Sequence, residues 1–217
     1  MAAPSDDHAG AASDGTSAWQ GGRPAIVALH YQNENCHPDG RIKVGIAADS
    51  VTRGERLANA GRLFAAARAA SVPIVHVRLA VPPDFHGVVV NTQLIREWVA
   101  LGAWREGTWG VAFLDGLQPL AGEPVVTHTR NSGFHNSTLQ EVLHALGVQH
   151  VICCGVSTAY AVEATVRHAT DIGYHVTVAA DACSTATEAQ HQAALAAMGV
   201  LADVRSVAEI EAVLAAS

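Results

Sequence analysis

Charge is what this chain is short of. Only 15% of its 217 residues are charged, and the formal net charge is −7. No basic stripe appears anywhere, so nucleic acid is not expected as a partner. No apolar run reaches the roughly 18 residues needed to cross a bilayer, so no membrane partner is expected either. The opening MAAPSDDHAGAASDGTSAWQGG lacks the basic start and apolar segment of a secretory signal, and a cytoplasmic location is expected. Its Ala/Ser/Asp/Gly make-up predicts a disordered arm over residues 1–22, followed by one domain over 23–217. No Cys-x-x-Cys pair and no internal repeat is present. The four cysteines are Cys36, Cys153, Cys154 and Cys183, two of them adjacent in an apolar run. That pattern makes neither a disulfide framework nor a structural zinc site, and the thiols read as small apolar core residues.

What is present is apolar, at 49% of residues, enough to bury a sizeable core. Short apolar runs predict strands at 24–29, 72–77, 123–127, 151–154, 176–180 and 201–204. Between them, helical spacing predicts helices at 53–70, 92–101, 138–146, 158–172, 188–198 and 207–215. Gly147 and Gly173 are placed to end two of them. Continuous apolar strands alternating with helices predict a three-layer α/β/α domain with a mostly parallel sheet of about six strands. Ligands in such sheets bind beyond the carboxyl ends of the strands. His30 and His128 fall at two of those ends, after AIVAL and after VVT.

Four segments in order carry a resemblance. They are AIVALHYQNEN, VPIVHVR, VVTHTRNSGFHNSTLQEVLHALGV and GVSTAYAVEATVRHATDIGYHVTVAADACST. Together they resemble the isochorismatase-like hydrolase superfamily, which includes nicotinamidases, N-carbamoylsarcosine amidases and isochorismatases. The similarity runs from about residue 24 to 205. Most members use an Asp, a Lys and a Cys nucleophile, since a thiolate needs a base and a cation beside it. Carried over position by position, the Asp becomes His30, the Lys becomes His128 and the Cys becomes Ala161. The resemblance implies a cis peptide between Val156 and Ser157, backbone N–H groups of Ser157 to Ala161 turned into the site, and a dimer or tetramer.

Three explanations of the altered triad stand open: an introduced Cys→Ala change, loss of catalysis leaving a ligand-binding protein, or a change of chemistry. An introduced change accounts for Ala161 but not for the two histidines. The favoured reading is a hydrolase acting on a small organic substrate by histidine acid–base chemistry, because an imidazole can both take and give a proton near neutral pH. A non-hydrolytic lyase or isomerase would need the same parts. The candidate catalytic residues are His30, His128 and Tyr160. Ser157, Thr158, Ala161, Phe134, Gln32 and Arg130 are the candidate substrate contacts. No cofactor is expected. The weaker metal alternative makes His30 and His128 zinc ligands with His37, His135, Glu34 or His86 as a third. Trp98, Trp104 and Trp109 in WVALGAWREGTW read as core or interface before substrate stacking.

Overall fold

The structure is a computed structural model, and it describes Trp19 and residues 21–216. Six strands form one sheet: β1 (Pro24–Leu29), β2 (Ile74–Leu79), β3 (Val125–His128), β4 (His150–Gly155), β5 (His175–Ala179) and β6 (Asp203–Arg205). Their order is β3-β2-β1-β4-β5-β6, and every pairing is parallel. β4 is buried along its whole length and β1 along all but its first residue, which is why both read as unbroken apolar runs. Right-handed crossovers send the connections from β1 and β2 over one face and those from β4 and β5 over the other. The chain direction across the sheet reverses between β1 and β4. That leaves a crevice beyond their carboxyl ends.

The helices are α1 (Asn33–Cys36), α2 (Ser50–Ala69), α3 (Gln93–Ala100), α4 (Leu139–Ala145), α5 (Glu163–Asp171), α6 (Glu188–Met198) and α7 (Val207–Ala215). α2 begins three residues before the expected Arg53, because the Asp49 carboxylate accepts from the Val51 and Thr52 N–H groups and caps it. Its face of Ala60, Leu63, Phe64 and Ala67 is buried. α5 also starts later than its sequence pattern, since Thr158–Val162 form a π-helical turn ahead of it. Such turns occur often at functional sites.

Two apolar clusters result. The large one fills the space around the sheet. The small one, built on Ile42, Leu79, Val81, Ile95, Trp98, Ala103 and Trp104, sits at the carboxyl end of β2 and forms a cap. The arm expected over residues 1–22 lies outside the described residues except for Trp19, Gly21 and Gly22. Trp19 itself is buried, edge-on to His150 with ring centroids 5.2 Å apart. No helix among the described residues is long and apolar enough to cross a membrane.

Candidate active site

His30 is the first residue past β1, and its backbone is left-handed, with φ of +56°. That conformation is uncommon for a residue with a side chain and persists where surrounding bonds over-determine it. Here the His30 N–H donates to the Val77 carbonyl at 2.9 Å, and the His30 carbonyl accepts from Gln32 N–H at 2.8 Å. Gln32 locks the turn. Its amide nitrogen donates to the Leu79 and Val111 carbonyls, and its amide oxygen accepts from Leu79 N–H. All of those contacts are to backbone, so the structure gives Gln32 a place under the site and outside its pocket.

His128 ends β3, opposite Leu79 in the register and two strands away from β1. The turn at His30 carries its ring across to meet it. The two Nε2 atoms face each other in direct contact, with ring centroids 4.7 Å apart. His128 Nδ1 lies 3.0 Å from the Ser132 carbonyl oxygen. A carbonyl can only accept, so Nδ1 of His128 carries a hydrogen. Burial, and then the neighbouring charge of His128, hold His30 well below the ordinary imidazole range, while the Val156 backbone works the other way. Burial is also the main cause that lowers His128, to about 4, against the Ser132 bond.

The strand β4 supplies the other wall. Gly155 has φ of +145°, and a Cβ there would stand 2.3 Å from the Leu29 carbonyl oxygen, so only glycine lets β1 and β4 converge at the crevice. The Val156–Ser157 peptide is cis. Ser157 Oγ pairs with Thr185 Oγ1 at 2.8 Å, and Thr158 Oγ1 with His191 Nδ1 at 2.9 Å. The backbone N–H groups of this turn were expected to aim into the site. Those of Thr158 and Tyr160 instead close on the Ser184 and Ser157 carbonyls. The turn is being held by its neighbours as much as it is offering donors.

Between these walls lies a pocket with a cavity volume of about 50 Å³. That is room for more than one water and for a small organic group. Of the expected residues, His30, Ser157, Tyr160 and Ala161 line it, and His128 stands behind His30. Thr158, Phe134, Gln32 and Arg130 do not line it. Phe134 stacks on Tyr174 with centroids 5.9 Å apart, and Arg130 reaches Asn91 at the surface. Sequence reasoning missed Asn35, Asn131, Leu79 and Leu94, and set Trp98 and Trp104 lower than the pocket does. Trp104 also has left-handed backbone, φ +63°, with its N–H on Glu34 Oε2. Trp109 stays exposed against His37. Asn35 is buried, and its Oδ1 has no hydrogen-bond partner among the described residues.

All four cysteines are buried and none lines the pocket. Burial pushes Cys36 and Cys154 up to about 12 and raises Cys153 and Cys183 further. The one lysine of the chain, Lys43, is exposed and donates to the Pro38 carbonyl at 2.6 Å. The residues named as a third zinc ligand do not join the pair. Glu34 is held by a two-pronged Arg41 contact, His86 and His135 are exposed, and His37 faces Asp39 and Trp109. Among the described residues no group of three or more His, Cys, Asp or Glu side chains is placed to hold a metal ion. Two imidazoles alone do not fit the three protein ligands of a catalytic zinc site.

A doubly wound parallel sheet with a small pocket at its switch point, walled by a left-handed strand-end residue and a π-turn, places a small-molecule site of the kind α/β proteins carry there. The chain belongs to the isochorismatase family: the Isochorismatase domain matches residues 24–209. It is 31% identical over 194 residues to the ureidoacrylate amidohydrolase RutB of Methylobacterium radiotolerans, covering 79% of this chain and 71% of that protein. It is 30% identical over 187 residues to that of Pseudomonas syringae pv. syringae, covering 80% and 76%. In fold it is similar to a cysteine hydrolase from Pseudomonas syringae pv. phaseolicola, with TM-score 0.82, 23% identity and coverage of 94% and 99%. The N-carbamoylsarcosine amidase of Thermoplasma acidophilum is similar too, at TM-score 0.69 and 22% identity over 85% and 96%. This chain is a hydrolase of the isochorismatase-like group, and its substrate is a small molecule.

Proposed function

We propose that the hydrolysis is run by proton transfer through the His30–His128 pair, without a cysteine adduct. The observation that carries this is the Nε2–Nε2 contact, with His128 Nδ1 on the Ser132 carbonyl. Two neutral rings both with hydrogen on Nδ1 would press lone pair on lone pair. With the His128 hydrogen on Nδ1, the His30 hydrogen on Nε2 donates to His128 Nε2 and removes that repulsion, and burial holds off any further proton. The pair is therefore neutral, with one proton between its Nε2 atoms.

His30, which lines the pocket, is the catalytic acid, and His128 is the base behind it. A water entering beside His30 takes the place of the Nε2–Nε2 contact and gives its proton to His128 Nε2 as its oxygen attacks the substrate. His30 Nε2–H protonates the leaving group, and the proton on His128 then passes to His30, which restores the pair. Tyr160, half-buried on the lining and with no hydrogen bond to its hydroxyl among the described residues, is placed to donate to developing negative oxygen. The relatives' name of amidohydrolase makes a C–N bond the first to try. The test is a panel of small amides, ureas and enol ethers against wild type, His30→Ala and His128→Ala. Loss of turnover in both variants is expected, and full activity in either would overturn the reading.

A further inference from the structure

Outside the small pocket, two clefts open just past the carboxyl end of β3, and Arg130 and His135 line both. The more enclosed one has a cavity volume of about 400 Å³. His86, Thr129 and Asn136 complete its polar side, and Pro82, Val88 and Val89 form its apolar side. Val89 is 58% exposed, an apolar surface that a ligand would cover. The second cleft adds Asn91, Asn131 and His168. Asn131 also lines the small pocket, so an occupant here borders the reaction site. No aspartate or glutamate lines either cleft among the described residues. The acid nearest in sequence to His86, Asp84, already accepts from the His86 N–H at 3.0 Å.

Arg130 is uncommitted. Arg41, Arg68 and Arg78 each grip a carboxylate, whereas the side chain of Arg130 makes one bond among the described residues, from Nη1 to Asn91 Oδ1 at 3.1 Å. Its Nε and Nη2 are left to donate, and a guanidinium fork fits the paired oxygens of a carboxylate or phosphate. His86 and His135 are exposed, and an imidazole carries an N–H donor in either protonation state. The Thr129 hydroxyl and the Asn136 amide can donate as well. Five donor side chains exceed what the two oxygens of a carboxylate call for, and suit the three terminal oxygens of a phosphate monoester. We propose that this cleft binds a small organic phosphate, with the phosphate on Arg130 and His135 and the organic body on Pro82, Val88 and Val89. A cavity of about 400 Å³ has room for both parts. The site does not depend on how His30 and His128 react.

The experiment is calorimetric titration at neutral pH and fixed ionic strength with phenyl phosphate, inorganic phosphate and benzoate. Wild type is expected to bind phenyl phosphate about tenfold more tightly than benzoate and about threefold more tightly than inorganic phosphate. Arg130→Gln should weaken phenyl phosphate by about tenfold or more, and His135→Gln, at an exposed position, by about threefold. His30→Ala and Tyr160→Phe, which alter the small pocket, should bind it as wild type does. No binding of phenyl phosphate by wild type, or binding undiminished in Arg130→Gln, would overturn the assignment of the site. So would a tenfold loss in His30→Ala or Tyr160→Phe, which would put the phosphate in the small pocket. Benzoate binding as tightly would overturn the phosphate class, and inorganic phosphate binding as tightly would overturn the organic body. No turnover is measured, so failure here leaves the proton-transfer reading standing, and failure of that reading leaves this site standing.

Discussion

Two buried histidine sites sit on the same sheet and do different things. His76 lies in β2, between the rings of Phe64 and Phe113, with Nε2 2.9 Å from Glu123 Oε2. Glu123 is gripped in turn by Arg68 Nε and Nη2 and by Leu120 N–H. Burial pushes the Glu123 carboxyl up, and the Arg68 fork, the Leu120 N–H and His76 together bring it down to about 2. His76 is lowered mainly by burial, so a neutral ring donates to a carboxylate. That is an ion-pair buttress in the core. His30 and His128 are as well buried but have no carboxylate, a left-handed backbone and a pocket beside them. Burial of a histidine alone says little. The chemistry lies in what its second nitrogen faces.

The sharpest way to break the comparison is by activity. His30→Ala and His128→Ala should each cost about 10²–10⁴ in turnover, the usual worth of general acid–base catalysis. His76→Ala should leave turnover per folded molecule within a few-fold, as steady-state assays on each variant will show. Stability should rank differently. Removing the fully buried His76 ring leaves a cavity and takes one partner from Glu123, at a cost of about 2–4 kcal/mol in denaturant unfolding.

Acid separates the two sites by window. The His128 pKa is depressed when folded, so its contribution is complete above about 6.5 and is lost as pH falls through about 4. Glu123 is depressed as well, so its contribution is complete above about 4.5 and is lost as pH falls toward about 2. Stability measured against pH should therefore lose its upper slope in part in His128→Ala and its lower slope in part in Glu123→Gln. Unchanged slopes in both would contradict the assignments. The smallest expected effect is none at all. Iodoacetamide on the native protein should leave turnover unchanged, because every thiol is buried and protonated.

Much of this arrangement was legible in the chain. Apolar runs between helical patterns are what a parallel sheet covered on both faces requires, and helices 188–198 and 207–215 fall where spacing put them. His30 and His128 were found because strand ends can be counted. The cap was not legible. Asn35, Leu94 and Trp104 come from loops and short helices far apart in sequence, and only the folded cap brings them together over β1 and β4. Phe134, placed at the pocket by resemblance, and Arg130, placed there by its nearness to a strand end, do not line it: Phe134 has Tyr174 and His168 to stack on, and Arg130 reaches Asn91. Trp19 looked like part of a polar arm because composition cannot see the single aromatic that docks on His150.

The central claim is one proton shared by His30 and His128. Nitrogen-15 and proton NMR of histidine-labelled protein at neutral pH tests it most directly. A single far-downfield proton coupled to both Nε2 atoms, with His128 Nδ1 protonated, His30 Nδ1 bare and the signal absent in His128→Ala, is the expected result. Two independent rings, each with its own proton on Nε2 and a bare Nδ1, would contradict it.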